Sequence, residues 1–126
     1  MKRWLWVWGP AVAQMALIFA ISSLHQAPLP DGMSDKTGHS IGYAILAVAL
    51  FRAFARGSWA GVSWRSGALA VGFSVLYGMS DEFHQKFVAG RSSDWADVAA
   101  DFRGAVIGAA LVGILYIINR LWPTRT

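Results

Sequence analysis

Apolar positions in this chain fall into four long runs separated by short polar stretches. No Asp, Glu, Lys or Arg occurs from Trp4 to Pro30, from Thr37 to Phe51, from Ser66 to Ser80, or from Gly104 to Asn119. A helix rises about 1.5 Å per residue, so roughly 20 residues cross a hydrocarbon core of about 30 Å. The first run is long enough alone. The other three need residues from their flanks, with Arg52, Arg65 and Arg120 snorkelling at one end. Charges at the opposite end would then sit just inside the core. The pattern predicts an all-α integral membrane protein, a bundle of four transmembrane helices.

The breaks between runs place the elements. The first span is expected over residues 4–24. Pro28, Pro30 and Gly32 make 25–34 an outer loop. Ser34 or Asp35 is expected to cap a second helix reaching about Phe54. Gly57 and Gly61 mark a short turn over 56–63. A third helix is expected from about Trp64 to His84 or Lys86, ended by Val88-Ala89-Gly90. Ser92 or Ser93 is then expected to cap a helix that begins near Asp94 and ends near Leu121, before Pro123. Gly38/Gly42 and Gly104/Gly108 form small-xxx-small pairs, where neighbouring backbones can approach closely.

Composition narrows this further. The length, 126 residues, suits one domain over 1–126, and 56% of residues are apolar while 14% are charged. A soluble domain of this size needs more charged surface. Cysteine is absent, which excludes disulfides and thiolate-bound metals. The basic residues flank the apolar runs and form no stripe, so the surrounding partner is a lipid bilayer and not a nucleic acid. Association into a homo-oligomer is left open. The basic pair Lys2-Arg3 before an apolar run resembles a signal peptide. That run exceeds an ordinary h-region, so it reads as an uncleaved anchor.

Charge also orients the spans. With the N-terminus placed inside, one side holds Lys2, Arg3, Arg52, Arg56, Arg65, Arg120 and Arg125 and no acid. The other holds every acid, namely Asp31, Asp35, Asp81, Glu82, Asp94, Asp97 and Asp101, with Lys36, Lys86, Arg91 and Arg103. The positive-inside rule makes the first side cytoplasmic and puts both termini there. Trp4, Trp6, Trp8 and Trp122 fit an aromatic belt at the inner interface. A multi-pass protein of the cytoplasmic (inner) membrane is expected, with its polar groups on the extracytoplasmic side.

Three polar clusters end the second, third and fourth spans on that outer side. Asp35, His39 and Tyr43 are spaced i, i+4, i+8 and share one helical face, with Lys36 beside them. Asp81 and Gln85 share a face of the third helix, where Glu82 can reach Lys86. Arg91 precedes Asp94, Asp97 and Asp101, spaced i, i+3, i+7. In an antiparallel bundle all three clusters meet at one depth. Ionisable groups inside a membrane pair with one another or face a wet cavity, so a polar pocket opening outward is expected. The plainer alternatives are an ion-pair network joining short helices, a dipole-favoured acid at Asp94, solvated lysines at Lys36 and Lys86, and incidental histidines at His25 and His84.

Asp35-Lys36-x-x-His39-x-x-x-Tyr43, Asp81-Glu82-x-His84-Gln85, and Gly90-Arg91 followed by Asp97, Asp101 and Gly104-x-x-x-Gly108 resemble the VanZ-like family. The resemblance covers about residues 35–110, and the preceding apolar span fits it. Ala89 stands where the family often has proline, and Asp101 where Asn is frequent. The resemblance implies a small membrane protein of the cell envelope, in a family whose founding member is linked to teicoplanin resistance. It supplies no settled activity.

The residues allow three functions. An enzyme acting on a lipid-linked envelope precursor would use Glu82 or Asp81 as base and His39 as acid. Asp35, Lys36, Tyr43, Gln85, Arg91, Asp97 and Asp101 would bind the ligand, with Lys36 and Arg91 clamping an anionic headgroup. No dedicated metal motif and no cofactor are specified, although Asp81, Glu82 and Asp97 could hold a divalent cation. A non-catalytic accessory protein would use the same cations to hold a headgroup or partner. A small transporter is third, because four short helices leave little room for alternating access.

Overall fold

The computed structural model describes residues 1–123, and Arg125 of the basic tail lies outside them. Four helices carry the described chain: α1 (Lys2–Ser22), α2 (Asp35–Phe54), α3 (Trp64–Gln85) and α4 (Trp95–Leu121), with a 3-10 turn at Trp59–Gly61. Their starts have local causes. The Ser34 hydroxyl accepts the Thr37 amide at 3.1 Å, and Ser63 with Ser66 forms a capping box before α3. One expected cap is wrong. Asp94, neither Ser92 nor Ser93, caps α4, because its extended backbone lets Oδ1 accept the Ala96 amide at 2.9 Å. A carboxylate there also complements the helix dipole.

Sequential helices with short connections pack as neighbours, the up-down arrangement of a four-helix bundle. The second helix is central. It packs most extensively on α4 and also meets α3 and α1, whereas α1 barely touches α3. Tyr43, Leu46, Ala47, Leu50 and Phe51 of α2 form the core with Ala11, Ile18 and Ala70. Of the two glycine pairs, only that of α4 serves this interface. A Cβ on Gly104 would run into the Ser40 carbonyl, and one on Gly108 into the Ala44 carbonyl. On α2, Gly42 faces open space and Gly38 lies under the Leu29 side chain.

The outward faces are apolar, including Leu17 and Phe19 of α1 and Ile107, Leu111, Ile114, Leu115 and Ile118 of α4. Such a surface is compatible with a lipid surround. Three helices, α1, α2 and α4, are long and apolar enough to cross a membrane. The third has the length but not the apolarity, since it carries Arg65, Asp81, Glu82 and several serines and glycines. Of its polar positions, Ser66, Ser74, Asp81, Glu82 and Gln85 are buried, while Arg65 is exposed. At the opposite end from the acids, the Arg52 guanidinium lies 4.5 Å from the Trp6 ring centroid and donates to the Trp6 and Val7 carbonyls.

Candidate functional site

The starts of α2 and α4 and the end of α3 converge at one end of the bundle, so the three polar clusters share one site. Helical spacing alone brings Asp35, His39 and Tyr43 into a row. The His39 and Tyr43 rings stack with a 6.4 Å centroid separation, and Asp35 Oδ2 stands 3.6 Å from His39 Nε2. Helix packing supplies the rest. His39 Nδ1 and Asp101 Oδ1 form a 2.8 Å hydrogen bond, and Asp101 is 0% exposed. Asp97 Oδ2 lies 3.9 Å from His39 Nε2. Lys36 reaches across from α2 to α4, in a close ion pair with Asp97 and a 3.2 Å one with Asp94.

The acids of α3 take different partners. Asp81 Oδ2 accepts from the Tyr43 hydroxyl and from the Gln85 amide, each at 3.4 Å. Glu82 does not reach Lys86. Its Oε2 accepts the Asp94 amide at 3.0 Å, joining the end of α3 to the start of α4, while the Lys86 ammonium sits over the Phe83 ring. Asp94, which caps α4, is held below the usual carboxylate range by the Ala96 amide and then by Lys36.

Arg91 is the second departure from expectation. Its Nε donates to the Leu24 carbonyl at 3.0 Å and its Nη2 to the Ile21 carbonyl at 3.1 Å. Its Nη1 lies 3.8 Å from Asp35. The guanidinium thus clamps the C-terminal end of α1, adding a donor to the Ile21 carbonyl, which also accepts the Leu24 amide, and one to the Leu24 carbonyl. As placed, both cations of the expected anion clamp hold helix ends together. The two lone histidines also have neighbours. His84 meets the Ser23 hydroxyl at 3.0 Å and stacks on Phe19. His25 bonds the Ala89 carbonyl at 3.0 Å, its ring lying over Gly90, whose φ of +79° favours glycine.

A cavity of about 330 Å³ runs from this cluster along α1 and α2. Asp35, His39, Tyr43, Asp81, Gln85 and Arg91 give it polar lining, and Leu17, Ile18, Ile21, Ile41 and Ile45 apolar lining. Lys36, Glu82, Asp97 and Asp101 stand behind that lining. Sequence reasoning missed Gln14, which lines the cavity and donates to the Gly42 carbonyl at 3.0 Å. Its signal was a lone amide in an otherwise apolar run. Also missed was Ser40, which accepts from Arg103 at 2.8 Å and donates to the Ala100 carbonyl.

Among the described residues, two sets have the composition and spacing to hold a metal ion, Asp35–His39–Asp97 and His39–Glu82–Asp101, each with ligand atoms within 4.8 Å of one another. The set expected from sequence, Asp81, Glu82 and Asp97, is not among them, and Asp81 is instead paired with Tyr43 and Gln85. The family model described as VanZ/LLP1 matches residues 14–116, well over half of the chain. No curated protein matches the chain, and no solved structure does.

Proposed function

The chain belongs to the VanZ/LLP1 family, and from that premise we propose that it binds a lipid-linked component of the cell envelope. In this reading it is a multi-pass protein of the cytoplasmic membrane, 1–126 forming one domain with both termini inside. Its polar site faces the extracytoplasmic side. One observation carries the proposal: a single cavity is lined both by apolar side chains of α1 and α2 and by a titratable cluster. An amphipathic molecule matches both, with its chain along Leu17, Ile41 and Ile45 and its headgroup at Asp35, His39 and Gln85. Binding of this kind would alter envelope precursors and contribute to glycopeptide tolerance.

Catalysis is a second reading, favoured by the 2.8 Å pair of His39 and Asp101. A buried carboxylate that holds an imidazole in one orientation prepares it for proton transfer. Asp81 and Glu82 then serve as positioning acids, since each is engaged elsewhere.

The test is to fill the cavity. Nothing lies within 4 Å of a Cβ at Gly42, so Gly42→Leu occludes the groove without displacing a helix. Lipids co-purifying with the native protein and with Gly42→Leu and Gly42→Ala would be identified by mass spectrometry. A species enriched over bulk lipid is expected with the native protein and Gly42→Ala, and lost from Gly42→Leu. Bulk lipid alone in all three defeats the proposal. Teicoplanin susceptibility of a sensitive host, at matched membrane abundance, then asks whether protection follows lipid retention.

A further inference from the structure

Two carboxylate oxygens in the outer cluster are buried without a hydrogen-bond partner: Glu82 Oε1 and Asp101 Oδ2. The other oxygen of each residue is engaged, with the Asp94 amide and with His39 respectively. An unpartnered buried acceptor costs about 1–3 kcal/mol, and more when charged. Two in neighbouring acids are relieved either by protonation or by a positive group close by, and only the second also uses the imidazole beside them.

The basic side chains at this end are committed elsewhere. Lys36 pairs with Asp94 and Asp97, and Arg91 with the α1 carbonyls and Asp35. Arg103 bonds Ser40, and Lys86 covers Phe83. Nothing from the described chain answers Glu82 Oε1 and Asp101 Oδ2.

We propose that His39, Glu82 and Asp101 form a binding site for a divalent cation. One ligand atom from each lies within 4.8 Å of the other two. Ligands at about 2.0–2.2 Å from a tetrahedral ion stand about 3.3–3.5 Å apart, so side-chain shifts of roughly 1 Å close the set. One imidazole and two carboxylates, without thiolate, suit Zn²⁺ or Mn²⁺. The three ligands come from α2, α3 and α4, so one ion joins three helices. Asp81 stays outside the set, held by Tyr43 and Gln85.

This site goes beyond the lipid reading and does not depend on it, because every ligand belongs to the chain. An ion here gives an otherwise acidic pocket a positive centre for a phosphate-bearing headgroup. An imidazole bound to the ion has less freedom to carry a proton, so occupancy favours binding over acid catalysis by His39.

The experiment uses the full chain, purified in detergent, stripped with chelator and titrated with Mn²⁺. Electron paramagnetic resonance counts bound ions, and its pulsed form detects an imidazole nitrogen next to the metal. We expect one ion per chain with nitrogen coupling, bound at least tenfold more weakly by Glu82→Gln and by Asp101→Asn. Asp35→Asn should keep it. The proposal is overturned if the native protein shows no saturable binding or no nitrogen coupling. Undiminished binding in both variants overturns it too, as does loss confined to Asp35→Asn, which assigns the ion to His39, Asp35 and Asp97. Both sets share His39, so nitrogen coupling in the native protein tests only the imidazole ligand. The contrast of Glu82→Gln and Asp101→Asn with Asp35→Asn, each checked for a native-like circular dichroism spectrum, decides which acids complete the set.

Discussion

The contact between α2 and α4 can be tested with a single methyl group. In Gly104→Ala the added carbon would stand 2.8 Å from the Ser40 carbonyl carbon and Cα, and closer still to the carbonyl oxygen. Ordinary contact begins at 3.4 Å, so α2 and α4 must part by more than about 0.6 Å, the oxygen contact setting the distance, or bend to the same extent. Overpacking of this kind costs about 1–3 kcal/mol. Alanine returns up to about 1 kcal/mol through helix propensity, which leaves a net loss of roughly 0–2 kcal/mol, and the tight oxygen contact places it toward the upper end. Gly113 supplies the control on the same helix. Nothing lies within 4 Å of a Cβ there, so Gly113→Ala should be neutral or stabilising by a few tenths of a kcal/mol. Gly108→Ala meets the Ala44 backbone and should resemble Gly104→Ala. The double variant should lose less than the sum, because the first methyl has already opened the interface. Unfolding by SDS in mixed micelles, followed by circular dichroism, gives the ranking. Native-like stability of Gly104→Ala, or an equal loss in Gly113→Ala, would refute the proposed close packing.

Two further outcomes follow from the polar end. Arg91→Lys keeps the charge but removes the fork that holds the Ile21 and Leu24 carbonyls, at a cost of about 1–3 kcal/mol. Hydrogen exchange should quicken over residues 21–34 and stay unchanged over 104–121, and uniform protection would contradict this role. Asp94 has a lowered pKa in the folded chain. Its ionised form therefore stabilises the fold above the ordinary carboxylate range, and the contribution fades as pH falls through the lowered value. Thermal melts of Asp94→Asn should show a deficit near neutral pH that disappears in acid, and a deficit constant with pH would count against the Lys36 pairing.

The helices were legible because burying charge in lipid is costly, so uncharged runs mark them, and Pro28, Pro30 and Gly32 interrupt them. Periodicity alone placed Asp35, His39 and Tyr43 on one face. Partners across helices were not legible in the same way. Nothing local to Lys36 says that Asp94 and Asp97 will lie opposite, since that depends on the register of α2 against α4. A guanidinium suits phosphate and the carbonyls of a helix end equally well, so the sequence around Arg91 does not reveal its contacts with Ile21 and Leu24. For Gly42, a motif shared with Gly38 suggested packing. Which of two glycine pairs meets a backbone depends on helix rotation, and on α2 the pair turns elsewhere.

Lys36 and His39 of α2 find close acidic partners, Asp97 and Asp101, on α4, which is synthesised after α2 and α3. Until α4 is made, Lys36 has neither of its carboxylates and His39 has only Asp35 of its own helix beside it. A chain stopped before Trp95 would also lack Gly104 and Gly108, whose missing side chains seat α4 against the α2 backbone. Closing the polar end of the bundle therefore follows the synthesis of α4 and cannot precede it.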